Sequence, residues 1–176
     1  MLDEKRIKEA EKNIRGYLED GLIWKYKDFR QEILETYERN YKESIDVSQK
    51  LLDQNLSNLW VIVVSYYSMY YITNAVLYKL GYKIGSKVSH KVASDALIVF
   101  IRNKLKKSLL EDYENAKEEA LEIIGRKTDD IIESFDREME KRSTFQYEST
   151  EEIKMAKAAT SLERAKKFIF EMSKLL

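Results

Sequence analysis

His90 is the one imidazole in a chain of 176 residues, and there is no cysteine. Multi-histidine metal sites, thiolate metal sites, disulfides and cysteine nucleophiles are therefore excluded. His90 has three available roles: general base, phosphate ligand, or ordinary first-turn helix residue with mixed exposure. It forms no hydrolase triad with Ser89 and Asp95, because adjacent helical residues point about 100° apart and no nucleophile elbow is present. No Glu-x-x-His pair exists, which removes the di-iron carboxylate bundle. The 31 acidic residues permit so many acid–base pairs that none is informative. The most unusual stretch is aromatic, Ser65-Tyr66-Tyr67-Ser68-Met69-Tyr70-Tyr71. As core, aromatics at i, i+1, i+4 and i+5 fill two sides of a helix, and their hydroxyls need partners such as Ser68, Asn74 or water. As a site, the same rings line a polar groove on which bases stack. Neither a metal nor a cofactor is implied.

The elements that must hold these residues are helical. There is no proline and only five glycines, which disfavours a turn-rich β-sandwich and a glycine-rich nucleotide loop. Asp3 to about Glu19 reads as a charged helix, interrupted by Gly21. A long helix runs from about Lys27 to Gln54, with Phe29, Ile33, Tyr37, Tyr41 and Ile45 at a spacing of four. Asn55–Ser57 is a tight turn. The helix Asn58–Leu80 is apolar on most of its circumference and is expected to form the core. Gly81 stops it, and Gly81–Gly85 reads as a loop. Ser89 is the expected N-cap of a helix over about His90–Lys106. Leu109–Ile124 follows and ends at Gly125, and Thr128 caps a helix Asp129–Lys141. Ser149 and Glu152 make a capping box for a last helix reaching about Leu175. The length suits one domain, and the pattern predicts an all-α antiparallel bundle around helix 58–80.

Basic and acidic residues balance at 31 each, so net charge argues for neither a nucleic-acid partner nor a disordered acidic tail. The distribution is uneven. Lys79–Lys107 carries eight basic residues against Asp95, whereas Ser108–Glu140 carries twelve acids against four bases. The basic segment is a candidate phosphate-backbone patch, and mutual neutralisation of adjacent segments is the alternative. Leu56–Tyr78 is free of charge over 23 positions, long enough to span a bilayer. Its mid-segment tyrosines and scattered Ser, Thr and Asn favour a buried helix over a membrane span. Met1–Asp20 mixes both charge signs and has no apolar targeting core, so the expected location is cytoplasmic.

Taken in order, Ser65-Tyr-Tyr-Ser-Met-Tyr-Tyr71, Ala75-Val-Leu77, Gly81 and Ser89-His90-Lys91 resemble the signature of the HEPN superfamily. The small stand-alone branch, with a Ser-Tyr-Tyr-Ala-Met-Phe-His helix and a later Ser-His, is the nearest in pattern. Arg142-x4-Tyr147 resembles that branch's Arg-x-x-Ala-Asp-Tyr motif, with Phe145 and Gln146 where Ala and Asp are usual. The resemblance covers about Tyr37 to Leu175. It divides the chain into an N-terminal helix and connector, 1–26, and a HEPN-like bundle, 27–176. It implies a symmetric homodimer that binds nucleotide or RNA beside a minimal nucleotidyltransferase, in a toxin–antitoxin or defence pair. Arg142 would contact phosphate, Tyr147 would stack, hydrogen-bond or accept a nucleotidyl group, and His90, Lys91 and Lys87 would add binding contacts. Active relatives are metal-independent ribonucleases using Arg-x4–6-His. Here Tyr147 stands where that histidine would be, and a phenol of pKa ~10 is a poor base at neutral pH. The resemblance therefore implies a non-catalytic binding protein. A ribonuclease toxin using His90, and a helical adaptor without a nucleic-acid role, are the two alternatives.

Overall fold

The computed structural model describes residues 2–140 and 155–176, with side chains described outside 126–140. The described residues form an all-α bundle of six helices with one two-stranded ribbon. The elements are α1 (Glu4–Glu19), β1 (Ile23–Lys25), α2 (Gln31–Asp53), α3 (Asn58–Lys79), β2 (Tyr82–Ile84), α4 (Ser89–Ala96), α5 (Lys107–Glu140) and α6 (Met155–Ser173). Between α4 and α5 the chain makes a π-helical turn, Leu97–Ile101, and a 3-10 turn, Arg102–Lys104.

α3 is the central helix, because its apolar residues recur on every face rather than on one stripe. It packs against α2, α6, α5 and α4. Ser57 caps its first turn by accepting from the Trp60 N–H at 3.3 Å. Tyr66, Met69, Ile72 and Leu77 are fully enclosed in the main core cluster. Ala10 and Ile14 of α1 enter that same cluster, together with Tyr113 and Ala116 of α5 and Phe168 of α6. Small hydroxyls let α2 and α3 approach closely: Ser48 Oγ donates to the Val61 carbonyl at 3.0 Å and meets Ser65 Oγ at 2.7 Å. No helix among the described residues is long and apolar enough to cross a membrane.

Several expected boundaries move. α2 begins at Gln31 rather than Lys27, because Tyr26 and Phe29 leave the helical path to pack on Tyr78. Tyr26 Oη donates to the Tyr78 carbonyl at 2.6 Å, and the Arg30 N–H donates to Tyr78 Oη at 2.9 Å. The segment 81–85, expected as a plain loop, supplies β2, which pairs antiparallel with β1 through Ile23–Ile84, Trp24–Lys83 and Lys25–Tyr82. Gly81 does stop α3, with φ of +96°. Gly125 does not stop α5, which continues as one helix to Glu140, so no break precedes Thr128. A glycine terminates a helix by turning left-handed, and Gly125 does not. Otherwise glycine costs a helix interior only about 1 kcal/mol relative to alanine. The proposed capping box at Ser149 and Glu152 lies outside the described residues.

Candidate functional site

α4 presents His90, and its start is unlike the expected one. Ser89 lies inside the helix, and the N-cap position is Val88, which makes no side-chain capping bond. Val88 is left-handed, with φ 44° and ψ 30°. That conformation is a true outlier for a β-branched residue and costs roughly 1–2 kcal/mol. The bend turns the Val88 carbonyl toward the Lys91 and Val92 N–H groups, at 3.0 and 3.1 Å, so the first turn is tied by backbone alone.

The bend sets the His90 ring, half-buried, against three tyrosines of α3. Ring centroids lie 5.5 Å from Tyr66, 5.5 Å from Tyr67 at 88°, and 4.5 Å from Tyr70. Tyr66 Oη is 2.7 Å from His90 Nδ1. This corrects the expected phenol partners, since Ser68 instead donates to the Ser65 carbonyl and Asn74 to the Tyr70 carbonyl. Behind Tyr66 lies Tyr113, fully buried with its ring edge-on at 5.9 Å. Burial raises both phenols above their ordinary value, so they stay neutral. Burial, aided by the positive charge of Lys117, lowers His90 from 6.5. The ring is therefore uncharged at pH 7. Either atom can donate across the Tyr66–His90 contact, according to the ring's tautomer. A neutral imidazole keeps one donor and one acceptor nitrogen, and the Tyr66 contact occupies Nδ1.

Next to this cage lies a charged cleft of about 380 Å³ between α1, α4 and α5, lined among others by Arg6, Lys91, Asp95, Glu114 and Lys117. Asp95 is fully buried. Its Oδ1 pairs with Arg6 Nη2 at 2.7 Å, while Oδ2 accepts from Asn13 Nδ2 at 3.0 Å and Tyr17 Oη at 3.1 Å. Burial first, and the Asp95 charge second, push the Tyr17 phenol up to about 12. Ser94 donates to Glu114 and accepts from Lys117 Nζ at 3.1 Å. Lys117 Nζ also reaches Glu114 Oε2 at 3.1 Å. These groups neutralise one another, and the exposed Lys91 at the rim makes no ion pair among the described residues.

His90 thus packs in the tyrosine cage, Lys91 lines the adjacent cleft, and Lys87 stands exposed in the loop leading to α4. Arg142 and Tyr147 lie outside the described residues. Reasoning from sequence missed Lys117, and it missed the pairing of Tyr66 with His90. The signal for that pairing was present in two halves, the tyrosine block and the lone histidine, with nothing in the spacing to join them. Among the described residues no group of three or more His, Cys, Asp or Glu side chains is placed to hold a metal ion. No protein-family model matches the chain, and neither a curated protein nor a solved structure does.

Proposed function

We propose that the chain is a non-catalytic, HEPN-like protein that binds a nucleotide or single-stranded RNA at the His90 cage. The observation that carries this reading is the pairing of His90 Nδ1 with the buried Tyr66 phenol at 2.7 Å. It sets the His90 ring among the half-buried rings of Tyr67 and Tyr70, with the exposed Lys91 one residue further along α4. Ring faces and a cation are what a base and its phosphate require, and the Arg-x4–6-His pair that active relatives use for cleavage is not found in the sequence. In this reading Arg142 adds a bidentate phosphate contact and Tyr147 a further ring or an acceptor for a nucleotidyl group. The protein works in the cytoplasm as a homodimer beside a minimal nucleotidyltransferase. Support for self-association comes from the exposed Trp60 and Val47 and the half-buried Val64 and Tyr71, aromatic and aliphatic groups of the kind found at interfaces.

The test is labelled single-stranded RNA incubated with wild type, Tyr70→Ala, Arg142→Ala and His90→Ala, with binding and cleavage read from the same samples. Wild type is expected to bind without cleaving. Tyr70→Ala should lose about tenfold in affinity, the worth of one stacked base. Cleavage that disappears in His90→Ala would establish the ribonuclease reading instead. Absence of binding at low salt would leave the helical adaptor.

A further inference from the structure

The β1–β2 ribbon is an odd feature in a helical bundle. Strands of three residues are marginal by themselves. This pair is anchored by Ile23 and Ile84, which face each other and are buried in the core. Strand alternation then turns the next pair, Trp24 and Lys83, to the opposite face. Trp24 is 37% exposed although a tryptophan has more to gain from burial than any other side chain. Lys83 Nζ hangs over its ring, 5.9 Å from the centroid, and Lys25 Nζ over Tyr82 at 5.6 Å. Such exposed cation–ring contacts are worth only about 0.5–1 kcal/mol, so both ammonium groups are easily diverted to a phosphate.

By the same alternation Lys25 and Tyr82 lie on the Ile23–Ile84 side, at the ribbon's end. The two chain segments that build the ribbon and its flanks, 21–27 and 79–91, hold Lys25, Lys27, Lys79, Lys83, Lys87 and Lys91 and no acidic residue. None of the six makes an ion pair among the described residues. The contrast is with α5, where Lys107 and Lys117 pair with Glu111 and Glu114. An accessible indole bracketed by unpaired lysines fits a base and its flanking phosphates. An acidic protein would use the lysines and leave the indole without a role.

We propose that the β1–β2 ribbon is a second contact surface for single-stranded nucleic acid, with Trp24 stacking on a base and Lys25, Lys83 and Lys87 holding the backbone. The ligand class is thereby a strand of several nucleotides, which passes from the ribbon along the 85–88 loop to the His90 cage. This rests on the nucleic-acid reading for the class of ligand, but it concerns different residues and has its own reporter. The chain has two tryptophans. Trp60→Phe keeps an aromatic ring at the proposed self-association surface and leaves Trp24 as the sole indole. His90 gives a single imidazole NMR signal.

The experiment titrates the Trp60→Phe protein with oligo-uridylate, following Trp24 emission and the His90 resonance together, and repeats it with Lys25→Glu/Lys83→Glu added. Both positions are on the surface ribbon, and circular dichroism checks that the fold is kept. The expected result is quenched Trp24 emission, a shifted His90 signal, and about tenfold weaker binding in the double variant. A shifted His90 with unchanged Trp24 emission and unchanged affinity in the double variant overturns the ribbon surface and leaves the cage reading intact. Quenching without any His90 response keeps the ribbon and overturns the cage. No response from either reporter overturns both. Binding that the lysine variants abolish without Trp24 quenching overturns the stacking role and leaves the lysines holding the backbone by charge alone.

Discussion

At the scale of single residues, the histidine carries the clearest physical signature. Its position was visible in the sequence because the chain has one imidazole. Its setting was not, because the phenol paired with its Nδ1 lies 24 residues away on another helix, and periodicity cannot register two helices against each other. The capping rule failed at the adjacent position: Ser89 is a good N-cap residue by type, yet the chain enters α4 through a left-handed Val88. Burial and the Lys117 charge hold His90 below 6.5 in the folded chain, so the unfolded chain takes up its proton first. The sign follows: this group's contribution to stability is fully present above about pH 6.5 and is lost as pH falls through the folded value. The NMR titration of the imidazole should show a midpoint below 6.5, moving up in Lys117→Met. A midpoint at or above 6.5 in the wild type would mean the ring is neither desolvated nor near that cation.

At the scale of elements, the sequence was most legible where a signal ran long. The charge-free stretch 56–78 becomes α3, enclosed as expected, and the expected bounds Asn58–Leu80 agree with the helix Asn58–Lys79 to within a residue. It was least legible where elements are short: three-residue strands contain too few positions for a period-2 pattern, and Gly125 resembles a helix stop by type alone. α1 shows what long-range chemistry adds. Its amphipathic stripe predicts a helix but not what fastens it. The fastener is Asp95, fully enclosed and held by Arg6, Asn13 and Tyr17, all from α1. Removing the cation of a buried pair leaves a carboxylate without water or countercharge, which is more damaging than loss of the pair as a whole. Arg6→Met should therefore cost about 3 kcal/mol in urea unfolding. Lys42→Met, at an exposed α2 pair with Glu38 whose lysine side chain is 60% exposed, should change stability by less than about 0.5 kcal/mol. Equal effects from the two substitutions would mean that Asp95 is not the anchor of α1.

At the scale of the whole molecule, charge balance conceals charge pattern. With basic and acidic residues equal at 31, the protein's far field gives little steering toward a polyanion. Attraction must come at close range, from the segments that hold lysines without acids. The uneven distribution was legible in the sequence, but the alternatives of a binding patch and of mutual neutralisation separate only in three dimensions. Lys107 and Lys117 of α5 are neutralised within that helix, while Lys79, Lys83, Lys87 and Lys91 are not paired among the described residues. A net-neutral protein that used these cations on a strand should still show steep salt dependence. If four phosphates are engaged, the slope of log K against log salt should be about −3, since each contact on a single strand contributes about −0.7. Replacing Lys83 and Lys87 by glutamine removes two of those contacts and should bring the slope to about −1.5. Fluorescence anisotropy of a labelled oligonucleotide between low and physiological salt measures both slopes. The same slope in wild type and variant would place the counterion release elsewhere on the chain, with Arg142 the next residue to substitute.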